Sequence, residues 1–428
     1  MQACDVLVVG GGPGGAVAAA LLARQGFAVV VAERERFPRF HIGESLLPAN
    51  LPLFDRLGLA DIVSTRRFQA KYGANICDQE TGREYTFYFR RNARNPDHAY
   101  QVLRSDFDTV LLENARKCGA DVRMGVRAEA AAFDAGGVTV TLAESAAAGA
   151  VNGATADVRA RFLVDASGRD SFLTRVLTRR ERIPNLGKVA LFAHYQAAAR
   201  ASGKEEGNIR ITVFRDGWFW WIPLIGDVTS VGCVLHARTV RDHGDSVEAL
   251  YEEMIARVPR VATNLAGAER ISPVHRAANF AYMNQPITGD RYLCVGDAVG
   301  FVDPMFSAGV YIAMQSGELA AAALGPMLRG DRFERRLLEP YERRVRAGMR
   351  PFIRFIHRYY EPAFLQMFLT PKSVLGTVDA VLAVLSGAAF LGIPWRKRLS
   401  LELFFALARI TGWLRAVRGT PLPSRLEW

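Results

Sequence analysis

Six residues near the start of the chain, Gly10-Gly11-Gly12-Pro13-Gly14-Gly15, satisfy G-x-G-x-x-G. Glycine at these positions lets the backbone turn tightly and approach a pyrophosphate, and the amides that open the following helix attract phosphate oxygens. Glu33 closes the next apolar run at the distance expected of a carboxylate that accepts ribose hydroxyls. NAD and FAD are both compatible with this set. Farther on, Gly296-Asp297 ends another apolar run, where the aspartate either reaches a ligand or caps the helix that follows. The amides near Ala308 and Gly309 open a helix and offer a place to an anion. Trp218, Trp220 and Trp221 are three of the chain's six tryptophans and fall within four residues. Lys71 is one of few lysines; a lone lysine is ordinarily solvated, so its own spacing assigns it nothing.

These residues need elements to hold them. Asp5 to Val9 reads as a short apolar strand, Ala16 to Gln25 as a helix and Phe27 to Ala32 as a second strand, a β-α-β unit around the glycine turn. Segments 136–143, 156–164 and 290–296 read as further strands. Runs 187–196, 209–214, 218–225 and 229–235 follow one another without helices, which predicts an antiparallel sheet inserted into the nucleotide-binding part. From Tyr311 onward the pattern is helical, and Leu403, Leu407, Ile410 and Leu414 form one apolar stripe. The expected division is a discontinuous nucleotide domain of residues 1–180 and 270–345 with substrate-pocket segments near 40–100, a sheet domain of 181–269, and a helical extension of 346–428.

The 428 residues are half hydrophobic and 23% charged, which excludes a disordered chain and predicts two or three domains sharing a sizeable core. The 54 basic against 43 acidic residues give +11, spread along the chain rather than in runs, so an acidic partner or anionic substrate fits better than nucleic acid. Cys4, Cys77, Cys118, Cys233 and Cys294 stand far apart, without zinc spacing or a disulfide framework, and a cytoplasmic location is expected. The chain opens directly into a strand, with no signal peptide expected. Residues 380–395 are uncharged but contain Gly387, Gly392 and Pro394 and fall short of the roughly 20 that span a bilayer. The helical spacing of Leu375, Val378, Leu382 and Leu385 instead predicts an amphipathic helix packed on the protein.

Arg291-Tyr-Leu-Cys-Val-Gly-Asp297-Ala-Val-Gly300 resembles the second FAD fingerprint of the p-hydroxybenzoate-hydroxylase-type flavoproteins, and Phe162-Leu-Val-Asp165-Ala-Ser-Gly168-Arg169 resembles their intermediate strand-turn segment. With the glycine loop, three segments in the family's order imply FAD, held by Gly10, Gly12, Pro13, Gly15, Glu33, Arg34, Arg104, Asp165, Gly168 and Asp297. The fold class implied is α/β: a Rossmann-like FAD domain of the p-hydroxybenzoate-hydroxylase or glutathione-reductase type, with an inserted antiparallel sheet and a helical C-terminal extension. No second G-x-G-x-x-G follows a strand, so reduced FAD is expected from a separate flavin reductase.

Trp218-Phe219-Trp220-Trp221-Ile222-Pro223 matches W-x-W-x-I-P, the signature of the flavin-dependent halogenases. The resemblance implies that Trp218, Trp220, Ile222 and Pro223 wall the flavin off from the substrate. Gly43-Glu44-Ser45-Leu46-Leu47-Pro48 is similar to the segment beside the flavin in these enzymes. Phe301-Val-Asp-Pro304-Met-Phe-Ser307-Ala308-Gly309 fits their F-x-x-P-x-x-S-x-G, which puts Pro304 and Gly309 at the flavin and makes Ser307, Ala308 and Gly309 a halide pocket. Lys71 falls where this family has its active-site lysine. Tyr359-Tyr360-Glu361-Pro362 and the helices beyond resemble the C-terminal extension of the phenol and pyrrole subgroup. Phe306 departs from the glutamate of tryptophan-specific members, which argues against free tryptophan as substrate.

The reading is therefore an FAD enzyme that uses reduced flavin, oxygen and chloride or bromide, forming a C4a-hydroperoxide and then hypohalous acid that passes to Lys71. The expected substrate is a phenolic or pyrrolic aromatic, either free or tethered to an acyl or peptidyl carrier protein. The alternatives are an aromatic hydroxylase, a geranylgeranyl-reductase-like flavoprotein acting on an unsaturated lipid, and a flavoprotein scaffold that binds a carrier protein without turnover. No metal is expected, and no integral membrane segment.

Overall fold

The computed structural model describes residues 2–65, 68–89, 96–144, 155–184, 186–244, 246–278, 281–369 and 375–417. Continuous apolar runs such as Val6 to Val9 and Val29 to Ala32 cannot alternate between core and water, so they form strands buried on both faces. They lie in a parallel sheet ordered Tyr292–Cys294, Thr155–Asp165, Gln2–Val9, Val29–Glu33, Asp121–Met124. The hairpin Val126–Asp134 and Gly137–Glu144 joins it antiparallel, along the first half of Thr155–Asp165.

Helix Pro13–Ala23 begins with a proline, whose missing N–H costs nothing at a helix start. It packs against the helix Ala308–Arg329, and glycine permits their close crossing. A Cβ at Gly317 would lie 2.4 Å from the Gly14 carbonyl oxygen. Both ends of the nucleotide cavity are thereby tied to one helix pair.

The second sheet is ordered Glu269–Arg270, Lys188–Gln196, Val228–His236, Gly217–Pro223, Ile209–Phe214, Gly73–Asp78, Glu84–Tyr88, with His275–Ala278 also paired to Lys188–Gln196. It runs wider than residues 181–269. Gly73–Asp78 joins it by a parallel pairing to Ile209–Phe214, a long-range contact that leaves no mark on a local pattern. Along Gly217–Pro223, period-two alternation sends Trp218, Trp220 and Ile222 to the nucleotide side and Phe219 and Trp221 to a separate core beneath the helix Val247–Arg257.

The C-terminal part packs Glu339–Tyr359, Pro362–Leu369, Thr377–Leu385 and Trp395–Val417 together. Thr377–Leu385 is buried along most of its length, and no helix among the described residues is long and apolar enough to cross a membrane. The stripe expected on the last helix is corrected. Leu401, Phe404, Phe405 and Ala408 face the core, while Ile410 and Leu414 are exposed. That helix has two apolar faces, and periodicity alone does not say which one meets the protein.

Candidate active site

One cavity of about 670 Å³ runs from the glycine loop to the tryptophan strand. Gly10, Gly12, Pro13 and Gly14 line its near end, and Gly10 adopts φ +102, where a Cβ would meet the Ala166 carbonyl oxygen at 2.3 Å. Gly15 lies behind the wall, packed on the Gly10 carbonyl. Glu33 is buried and accepts the Gly11 N–H (2.7 Å) and the Glu35 N–H (2.8 Å), which fixes its carboxylate at the cavity edge. Arg34 lines the same end and pairs with Asp170.

A dinucleotide the size of FAD fits these residues. The open side of Gly12 faces the guanidinium of Arg39 across 3.7 Å from an ideal Cβ position, so phosphates there would meet amides on one side and a cation on the other. Farther in, Glu44 is buried at the wall, and its Oε2 has no hydrogen-bond partner among the described residues. An orphaned buried acceptor is costly unless a bound group satisfies it.

Arg104 is held by Asp108 through Nε to Oδ1 (2.7 Å) and Nη2 to Oδ2 (2.8 Å), and it donates to the Ile42 carbonyl at 2.7 Å. Arg39 lies 3.1 Å from the same carboxylate. Burial opposes charge on Asp108, yet the two arginines hold its carboxyl below the usual range. The pair supports the left-handed turn at Gly43, where a Cβ would sit 3.0 Å from Arg104.

Ser45 lines the cavity; Lys71 does not. Lys71 ends the short strand Gln69–Lys71, fully enclosed, and its Nζ donates to Ser45 Oγ (2.8 Å) and to the Leu46 carbonyl (3.2 Å). Burial lowers its pKa to about 7, so much of it is a neutral amine at neutral pH.

Asp297, Pro304, Ser307 and Gly309 line the far end, and burial raises Asp297 to about 6 against the opposing charges of Arg169 and Arg104. Ala308 is turned away, toward a small void under Phe352 and Ile356. Gly168 lines the cavity, but Asp165 stands behind it. The Asp165 carboxylate accepts from Ser167 N–H (3.0 Å), Ser167 Oγ (2.5 Å) and Leu173 N–H (2.9 Å), so it shapes the turn that presents Gly168. Trp218, Trp220 and Ile222 close the cavity on the sheet side, while Pro223 is buried beyond it. The Trp220 ring lies over Gly232, where any Cβ would collide with it at 2.1 Å.

Residues 3–355 match the FAD binding domain family. The chain is 33% identical over 360 residues to a tryptophan 2-halogenase of Chondromyces crocatus, covering 83% of this chain and 67% of that one. It is 29% identical over 379 residues to a 1H-pyrrole-2-carbonyl-[peptidyl-carrier protein] chlorinase of Pseudomonas fluorescens, covering 83% of each. The chain belongs to the flavin-dependent halogenase family. The flavin-dependent brominase Bmp2 superposes on this halogenase with a TM-score of 0.84 at 26% identity, over 96% of this chain and all of the other. The myxobacterial chondrochloren halogenase CndH does so with 0.79 at 30%, over 95% and 97%.

Sequence reasoning did not find Arg39, whose only local signal is its place just after the second strand. Nor did it find His194, whose Nε2 lies 2.8 Å from Glu44 Oε1. Burial works against a charged His194, yet the Glu44 bond raises its pKa above the ordinary value. The two residues meet only through the fold of the second sheet over the nucleotide domain. Among the described residues no cluster could hold a metal ion.

Proposed function

We propose that this halogenase places chlorine or bromine on an electron-rich aromatic ring, phenolic or pyrrolic, with Lys71 holding the electrophile. The observation that carries this reading is the 2.8 Å bond from Lys71 Nζ to Ser45 Oγ, because it sets a buried amine one side chain behind the cavity wall. Bound reduced FAD supplies hypohalous acid from oxygen and a halide. Gly10 to Gly14, Glu33, Arg39 and Arg104 hold the dinucleotide, and the amides near Ala308 and Gly309, in the pocket Ser307 to Gly309, hold the halide. Trp218 and Trp220 keep the aromatic substrate away from the flavin. Neutral Lys71 hydrogen-bonds hypohalous acid or takes its halogen, forming N–X and breaking O–X while the amine proton leaves in water. The ring then takes X and returns its proton to nitrogen, which restores the amine.

Phe306 supports a phenol or pyrrole. It packs against Phe355, Tyr359 and Phe368, and an apolar ring supplies no carboxylate for charge that develops on an indole. The chlorinase relative, named for a pyrrole on a peptidyl-carrier protein, supports carrier delivery, which the net charge of +11 also suits. The single dinucleotide fingerprint supports a partner flavin reductase.

The test is product mass spectrometry with reduced FAD, oxygen and chloride or bromide. Phenol, free pyrrole, carrier-bound pyrrole and tryptophan are offered separately. Halogenated phenol or pyrrole supports the reading; halogenation of tryptophan alone overturns its substrate class, and hydroxylated product overturns the shielding role of Trp218 and Trp220.

A further inference from the structure

The loop from Asp303 to Gly309 is held in an uphill conformation. Ser307 adopts φ 54, ψ 27, the left-handed region, which a residue with a Cβ occupies at a cost of order 1 kcal/mol, yet it opens the 22-residue helix Ala308–Arg329. Such a residue persists only where its surroundings fix it. At the other end of the loop, Asp303 is buried; its Oδ1 accepts the Met305 N–H at 2.9 Å, and its Oδ2 accepts the Tyr360 hydroxyl at 2.8 Å. Trp218 Nε1 donates to that same hydroxyl at 3.3 Å. Lys188 Nζ lies 4.4 Å from the centroid of the Tyr360 ring.

Four parts of the chain meet at this one phenol: the F-x-x-P-x-x-S-x-G loop, the tryptophan strand, the strand Lys188–Gln196 and the C-terminal helices. We infer that Tyr360 is a positioning residue that locks the Asp303–Ser307 loop through Asp303, so that the C-terminal extension sets halide affinity while flavin binding stays independent of it. The inference rests on the proposed halide pocket at Ser307 to Gly309.

Charge makes the lock distinguishable from an electrostatic role. Asp303 is an anion close to a pocket meant for an anion, so by electrostatics alone its neutralisation favours halide. If Asp303 instead holds the loop, Asp303→Asn weakens halide binding, because an amide has a single acceptor oxygen and can no longer accept from both the Met305 N–H and the Tyr360 hydroxyl. Burial, opposed by the Met305 N–H, the Tyr360 hydroxyl and the charge of Lys188, holds Asp303 near 6; Tyr359 also faces it. Removing the Tyr360 hydroxyl takes away a bond that lowers this value, so the acid limb of halide binding moves to higher pH.

The experiment compares wild type, Tyr360→Phe, Asp303→Asn and Tyr359→Phe. The last removes a buried hydroxyl that has no hydrogen-bond partner among the described residues. Chloride and bromide KM are measured from product at saturating reduced FAD, FAD affinity by fluorescence, and halide affinity independently by the thermal shift that halide produces. The expected result is a halide KM raised about tenfold in Tyr360→Phe and in Asp303→Asn, the loss of one charge-assisted hydrogen bond. FAD affinity and Tyr359→Phe stay within about twofold of wild type, and the acid limb in Tyr360→Phe moves above about pH 6. An unchanged halide KM in Tyr360→Phe, a lowered one in Asp303→Asn, or FAD affinity falling in step with halide overturns the inference. Should Tyr360→Phe fail to fold, Asp303→Asn decides by the sign of its change. If wild type shows no saturable halide dependence, the halide-pocket reading itself fails, a result distinct from saturation that is merely unchanged in the variants.

Discussion

Lys71 donates to Ser45 across 2.8 Å, and of the two only the serine faces the cavity. The amine therefore faces the cavity only through a hydroxyl. Its other polar contact is the Leu46 carbonyl, and the Phe89 ring lies 5.3 Å from Nζ. No carboxylate is bonded to it among the described residues. Burial without a counter-ion explains its lowered pKa, and the neutral amine is the form that the proposed halogen transfer uses.

The lowered pKa gives a pH dependence of stability with a definite sign. Unfolded lysine keeps its proton up to its ordinary value, whereas folded Lys71 releases it above about 7, so the unfolded state binds more protons in between. This contribution to stability is lowest below that value and rises with pH between about 7 and about 10. Lys188, also lowered to about 7 by burial, adds in the same direction. Urea unfolding across this range should show the rise, and Lys71→Met should remove about half of it. A flat profile in wild type would mean that neither amine is neutral in the fold.

Trp220→Ala should uncouple the enzyme. The ring fills the space over Gly232 and faces the cavity, so its removal costs about 3 kcal/mol and opens the proposed wall between flavin and substrate. Reduced flavin should still be reoxidised, while halogenated product per flavin oxidised drops about tenfold. Denaturant unfolding and product counting measure the two effects separately.

Asp108→Asn should strip Arg104 and Arg39 of their shared carboxylate; part-exposed Arg39 keeps Glu35 at 3.0 Å, but the buried guanidinium of Arg104 is left poorly paired. The expected loss is about 3 kcal/mol of stability with weaker FAD binding, measured by chemical unfolding and flavin fluorescence. Retention of both would show that the arginines find other partners.

Much of this arrangement was legible in residue order, because some constraints are local. A strand buried on both faces must be apolar throughout, as Val6 to Val9 and Val29 to Ala32 are, and a close backbone approach must be glycine, as Gly10 and Gly14 are. The alternation of Trp218 and Trp220 against Phe219 and Trp221 likewise follows from strand period. What was not legible depends on partners distant in the chain. Arg39 and Asp108 meet only after folding, as do Glu44 with His194 and Tyr360 with Asp303. Asp165 looked like a ligand because the strand-turn segment is right for one, but its carboxylate is taken up by the turn it makes. Ile410 and Leu414 looked like core because exposed and buried apolar faces carry the same period.

In the proposed role, Lys71 uses an oxidised halogen that it does not itself generate, and the Lys71→Ala variant separates the two steps. Flavin reoxidation, trapped hypohalite and regiospecific product are followed together in wild type and variant. FAD binding and reoxidation should persist, since the glycine loop, Asp297 and the Ser307 to Gly309 segment are untouched, and trapped hypohalite should rise. Regiospecific product should fall by a factor of about 100, the loss expected when a positioning group is removed, and Lys71→Arg should not restore it, because a guanidinium stays charged. Undiminished regiospecific halogenation in Lys71→Ala would reduce Lys71 to a buried structural lysine bonded to Ser45.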